Sequence, residues 1–152
     1  RGAGSLTLVA RWPHVPGPGE TTAARGLRKG LGGKGANMSV ASVRAGSVVQ
    51  LIGAVGADGG WMRDRLDGYG VGVAHLTAVG DVSGHANIYV DADGENQSVI
   101  MPGANRMIDE AALENALKQA GPRDIAVCPL CLIHFCRCRL RAWCGSCWVS
   151  PL

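Results

Sequence analysis

No acidic residue follows Asp124, and no cysteine precedes Cys128. The two gaps divide the chain at one place. Nowhere does a charged start lead into an apolar stretch long enough for a secretion signal or a membrane span. That absence argues against a membrane protein and makes a soluble, cytoplasmic one the expectation. A broad excess of one charge is missing too. Residues 1–128 carry 12 basic and 12 acidic side chains, so the net charge of +3 comes entirely from Arg137, Arg139 and Arg141. A basic face for nucleic acid is therefore not expected. The 152 residues are enough for one modest domain with a core of its own.

What the chain does have is the run Gly32-Gly33-Lys34-Gly35-Ala36-Asn37, followed by a helical pattern from Met38 to Ala45. Its glycines permit backbone conformations and close approaches that a side chain forbids, and the N–H groups of a helix start can face a polar ligand. Lys34 and Asn37 would add side-chain donors. Ala36, Val40 and Val43, with Ala41 and Ala45 beside them, recur at helical spacing and give the loop an apolar mount. A phosphate-binding P-loop is excluded, because Arg28 stands where its first glycine belongs and Gly35 where its Ser or Thr belongs. Taken alone, the run fits equally well a ligand loop or a glycine turn with a solvated lysine.

Around it, Ser5 to Ala10 reads as a short strand, and the prolines at 13, 16 and 18 force an extended loop over Trp12 to Glu20. Thr21 to Leu31 reads as a strand or edge leading into the loop. Ser47 to Val55 is an apolar, β-branched run that predicts a buried strand of a parallel sheet. A short helix is expected at Gly60 to Asp67, where glycines crowd both ends. His85 to Asp91 and Asn96 to Met101, joined through an Asp-Gly turn, predict a hairpin. Asp109 to Gln119 predicts a capped helix, and Asp124 to Val127 the start of another strand.

Register tips the balance for the glycine run. Asn37, Ser39, Gly46 and Gly56 at fixed distances from the glycine pair, together with Pro18-Gly19-Glu20-Thr21 and the turn Gly53, Gly56, Asp58, resemble the ribokinase-like (PfkB) carbohydrate kinases. Downstream, Ser83-Gly84-His85-Ala86-Asn87-Ile88, Asp93-Gly94-Glu95-Asn96 and Pro102-Gly103-Ala104-Asn105 continue the resemblance, which covers roughly residues 4–127. It implies a truncated ribokinase-like α/β fold, a partly parallel sheet with helices plus a small β-lid hairpin, over residues 1–127. The implied activity is ATP-dependent phosphorylation of a sugar hydroxyl, with Gly33, Lys34 and Asn37 binding the sugar and Ala86 and Ile88 contacting it from the lid. Thr7 falls where the family's sugar-binding Asp is usual, and Ser5 where an Asn is, so Thr7 offers one uncharged contact. Asp91, Asp93 and Glu95 are expected only to shape the turn. ATP and Mg are the cofactors implied, yet the family's Gly-Ala-Gly-Asp-like turn, which carries the general base, does not occur in this sequence. A chain of this length is short for the family and begins at Arg1, so a processed or incomplete start is expected. The resemblance therefore predicts sugar binding without turnover by these residues alone. A non-catalytic sugar-binding fragment is the competing expectation, and dimerisation through the lid is anticipated for either.

Residues 128–152 are expected to form a separate Cys-, Arg- and Trp-rich tail, since beyond Cys128 the resemblance to the family is lost. Cys128, Cys131, Cys144 and Cys147 form two CxxC pairs that could hold tetrahedral zinc and make the segment an interaction module. The abrupt loss of acids and the mixture of Cys, Trp and Arg favour instead a shifted reading frame or misjoined end over a native domain. Elemental analysis of protein purified under reducing conditions without chelator separates the two. The expected result is no bound zinc, and one zinc per chain would restore the module.

Overall fold

The computed structural model describes residues 4–128. Its central strand is β1 (Ser5–Arg11), flanked by β2 (Gly26–Gly32), which runs antiparallel to it and leads into α1 (Lys34–Arg44). A short β3 (Gly53–Val55), α2 (Gly60–Gly68) and β4 (Leu76–Ala78) come next, with β3 and β4 pairing parallel as a separate two-stranded sheet. The hairpin of β5 (His85–Val90) and β6 (Asn96–Met101) then joins the first sheet, β5 lying parallel to β1, so that the order is β2-β1-β5-β6. The last element is α3 (Glu110–Lys118). This is a mixed α/β fold with both parallel and antiparallel pairing.

Local chemistry accounts for the hairpin and α3. In the hairpin turn the Asp91 carboxylate accepts from the N–H groups of Asp93 at 3.0 Å and Glu95 at 2.9 Å, while Gly94 takes a φ of 88°. That combination closes the turn and makes Asp91 an element of geometry. Asp109 caps α3 by accepting from the Ala111 N–H at 3.1 Å, satisfying one of the donors a helix start leaves over.

The core lies between the two helices α1 and α2 and the β3–β4 pair. Ala36 from α1, Val55, Met62 and Leu66 from the next two elements, and Leu51, Val71 and Leu76 are buried together, with Leu6, Leu31, Val40 and Val43 packed against them. The stripe of α1 that faces inward is thus Ala36, Val40 and Val43. Ala41 and Ala45, which the spacing also placed on it, are exposed, because at about 100° per residue they lie about 140° and about 180° around the helix from Ala36. The helix also begins at Lys34, four residues before the expected Met38, because Gly33 alone makes the break in the backbone.

Two strand expectations do not hold in their full length. Of Ser47 to Val55, only Gly53–Val55 joins a ladder, preceded by a single bridge between Gln50 and Gly72, and Val48 is 98% exposed. Apolar, β-branched composition favours extension but cannot supply a neighbour to pair with, and β4 offers just three residues. Asp124 to Val127 forms no strand, leaving Ile125 86% and Val127 65% exposed. The tail beyond Cys128, with Cys131, Cys144 and Cys147, lies outside the described residues.

Leu66 is fully buried at the centre of the core. Replacing it with alanine removes packed atoms that the surrounding helices cannot fully collapse upon, so Leu66→Ala is expected to cost about 2–5 kcal/mol. Urea denaturation checks this: the midpoint should fall while the slope stays constant.

Candidate functional site

The β2-to-α1 junction is built by close approach. A Cβ at Gly32 would collide with the Thr7 hydroxyl, and one at Gly33 would sit 3.0 Å from the Ser5 nitrogen. Gly33 also holds a φ of 93°, where an L side chain is strained, and acts as the N-cap residue of α1. Its carbonyl accepts from the Asn37 N–H at 3.0 Å. No side chain caps this helix, and no acidic residue lies in its first turn. The N–H groups of Lys34, Gly35 and Ala36 therefore precede the first i−4 bond, a local arrangement suited to an electronegative ligand atom.

Strand register brings the distant residues to this junction. Thr7 stands opposite Ala86 on β5 and Gly30 on β2, and Ala86 opposite Ile100 on β6. One pair further along, Val9 stands opposite Ile88 and Arg28, and Ile88 opposite Ser98. Because side chains alternate along a strand, these two rows share one face of the sheet. That face floors an open groove of about 890 Å³, with Gly32, Gly33, Lys34 and Asn37 lining it as well. All six sequence-derived residues, Thr7, Gly33, Lys34, Asn37, Ala86 and Ile88, line this one groove. Lys34 and Asn37, three positions apart, lie on the same side of α1 and are both exposed.

The groove's chemistry is that of a binding surface. Arg28, Lys29 and Lys34 line it without a single carboxylate. Lys29 packs its ammonium 4.8 Å from the centre of the Trp61 ring, a contact with α2. Thr7 and Ser98 supply hydroxyls, Asn37 an amide, and Val9, Ala86, Ile88 and Ile100 an apolar floor. Such a surface can hydrogen-bond a hydroxylated ligand and cover its carbon skeleton, but it contains no general base. Sequence reasoning missed Arg28, Gly30, Val9, Ser98 and Ile100. The signal was available for Val9 and Arg28, which sit at even spacing from Thr7 and Gly32, whereas Ser98 and Ile100 needed the hairpin's register.

Residues of the sequence motifs, through contacts that the sequence did not reveal, anchor the hairpin. The Asp58 carboxylate accepts from the Ser83 hydroxyl at 2.6 Å and the Ser83 N–H at 2.7 Å, and the same hydroxyl accepts from the Gly56 N–H at 2.9 Å. Ser83 is buried just before β5 begins. Nearby, the Gly84 carbonyl accepts from the Leu6 N–H at 2.8 Å, and the Asn105 amide donates to the Gly4 carbonyl at 2.9 Å. Thus the turn Gly56 to Asp58 and the segment Ser83 to Asn105 hold the hairpin's root against β1.

Comparison with known proteins places this geometry. The profile of the pfkB family carbohydrate kinases matches residues 4–131. A ribokinase of Bacillus subtilis is 36% identical over 129 residues, covering 83% of this chain and 44% of that protein. Among solved structures, a ribokinase of Cryptococcus neoformans in complex with ADP superposes with a TM-score of 0.63 at 45% identity, covering 68% of this chain and 33% of that one. An Arabidopsis thaliana ribokinase complexed with ribose and ATP gives a TM-score of 0.66 at 28% identity, covering 74% and 39%. The chain spans less than half the length of each of these relatives.

The Asp58 carboxyl is held below its ordinary pKa, chiefly by the Ser83 hydroxyl, with burial opposing and the Ser83 N–H adding to the effect. A depressed folded-state pKa contributes stability above the ordinary value of 3.8, and that contribution disappears as pH falls through the folded value. Denaturant titrations from about pH 6 to about pH 3 are expected to show wild type losing more stability on acidification than Asp58→Asn. Parallel pH profiles would remove Asp58 as the source.

Proposed function

Because the chain belongs to the pfkB family of carbohydrate kinases, we propose that residues 4–128 form the acceptor-sugar portion of an ATP-dependent carbohydrate kinase. The observation that carries this reading is the convergence of Thr7, Gly33, Lys34, Asn37, Ala86 and Ile88 on one groove. In it, Lys34, Asn37 and the backbone at Gly33 bind sugar hydroxyls, Thr7 adds one uncharged hydrogen bond, and Ala86 and Ile88 cover the ring from the hairpin, which acts as a lid. Relatives solved with ADP, or with ribose and ATP, support a nucleotide and a sugar as the two substrates.

These residues do not fit the nucleotide's metal. Among the described residues no group of three or more His, Cys, Asp or Glu could hold a cation, and the groove is lined by none of these four residue types. Phosphoryl transfer rests on positioning and on electrostatic stabilisation of the transferred group. The sequence contains no Gly-Ala-Gly-Asp-like turn to supply the base. No catalytic step is therefore assigned to this region, whose role in the proposal is to bind and orient the acceptor. A cytoplasmic location is part of the same proposal; separately, among the described residues no helix is long and apolar enough to cross a membrane. Homodimerisation through the lid belongs to the same reading: β6 is an edge strand on which Val99, Ile100 and Met101 are 54%, 69% and 53% exposed.

Two measurements on the 152-residue chain test the proposal. Calorimetric titration with ribose should show binding that the double variant Lys34→Ala, Asn37→Ala loses, since each removed donor contributes about 1 kcal/mol. A coupled assay for ADP with ribose, adenosine and fructose phosphates as acceptors should show no acceptor-dependent release, because general-base catalysis alone supplies about 100-fold to 10,000-fold. Release that vanishes in the double variant would return catalysis to this region, and absence of any sugar binding would sink the site.

A further inference from the structure

A second cavity of about 340 Å³ adjoins the groove, sharing Gly30, Leu31 and Asn37 with it and continuing past Val40 and Ala41 to Arg44, Arg65 and Tyr69. Asn37, Ala41 and Arg44 follow one side of α1 at i, i+4 and i+7. Arg65 and Tyr69 are one turn apart at the end of α2, and the Arg65 Nε donates to the Tyr69 hydroxyl at 3.2 Å. The guanidinium of Arg44 lies 5.8 Å from the centre of the Tyr69 ring and that of Arg65 lies 6.0 Å from it.

Two like charges thus converge on a single ring. The ring face attracts each of them, at about 0.5–1 kcal/mol when exposed, but does not cancel their mutual repulsion. A carboxylate between them would, and among the described residues neither guanidinium has one within ion-pair distance. The Tyr69 hydroxyl registers the same field. Its pKa is lowered first by the Arg65 hydrogen bond and then by the charges of Arg65 and Arg44.

We propose that this cavity binds a phosphate group between Arg44 and Arg65, next to the sugar groove. A phosphate dianion matches two guanidinium charges, and its oxygens accept from planar forks approaching on different sides, which one planar carboxylate does less completely. Both arginines are exposed, so each can turn its fork toward an incoming ligand without unfolding either helix. Asn37 lines both cavities, so the phosphate is either a free ion beside the sugar or one carried by the sugar itself. This site goes beyond the sugar-binding reading and does not depend on it.

The test is calorimetric titration of the 152-residue chain with inorganic phosphate, ribose 5-phosphate and ribose, repeated on Arg44→Gln and Arg65→Gln. Inorganic phosphate should bind one to one, and each substitution should weaken it about ten-fold or more, the effect of losing a charge-assisted hydrogen bond. Affinity for ribose should be the same in all three proteins. Ribose 5-phosphate binding more tightly than phosphate and ribose separately would assign the phosphate to the sugar, and binding no better than phosphate would assign it to a free ion. As an independent readout, phosphate should raise the pH at which tyrosinate absorbance appears in wild type but not in Tyr69→Phe. The proposal is overturned if wild type takes up no phosphate, or if both arginine variants bind it with unchanged affinity. Loss of ribose binding with phosphate binding intact would count against the sugar groove alone.

Discussion

The passage from β2 into α1 takes a single residue, and the rest of the site depends on it. Gly33 reverses the chain at a φ of 93°, while Gly32 presses against Thr7 on the neighbouring strand. Any side chain at either position would push β2 away from β1 or delay the helix. With both glycines in place, the start of α1 faces the end of the sheet, and Lys34 and Asn37 stand over the floor that Thr7, Ala86 and Ile88 provide. The burial of Ala36 one turn later, against Leu66 and Met62 in the same core, holds the helix start where the glycines aim it.

The hairpin would swing freely if only β5 tied it to β1. Its root is instead fastened by a buried serine: Ser83 gives two hydrogen bonds to Asp58 and takes one from Gly56. Glycine again marks the tight places, since a Cβ at Gly84 would collide with the Asn105 amide and one at Gly56 with the backbone at Val82 and Ser83. These contacts connect the β3–β4 sheet to the larger one at a point far from the hairpin's tip. The tip is closed by the Asp91 turn alone. The hairpin is therefore fixed at its root and closed locally at its tip.

Charge is distributed with the same logic. The groove and the cavity beside it are lined by the side chains of four cations, Arg28, Lys34, Arg44 and Arg65, and by no carboxylate, while the Lys29 ammonium packs on Trp61. Over residues 1–128 the charges balance, so this separation arises from folding and is invisible in composition. Acids are placed in turns and caps, at Asp58, Asp91 and Asp109, where each accepts backbone N–H groups.

The sequence alone carried the features that reside in contiguous residues. The glycine loop, the helix behind it, the Asp-Gly hairpin and the cap at Asp109 depend on backbone freedom, spacing and local hydrogen bonds, and each was readable from a few neighbouring letters. The family resemblance was equally legible, because its motifs are short and fixed in register. Which segments pair was a different matter. The run from Ser47 to Val55 is apolar throughout, yet only its last three residues found a ladder, since a strand needs a partner that its own composition cannot specify. Likewise, the placement of β1 between β2 and β5 decided that Thr7 meets Ala86 and Gly30, and the packing of α2 against α1 decided that Arg44 and Arg65 meet at Tyr69. Those encounters join residues 20 to 80 positions apart, and only the tertiary fold, by choosing which buried faces pack together, could bring them about.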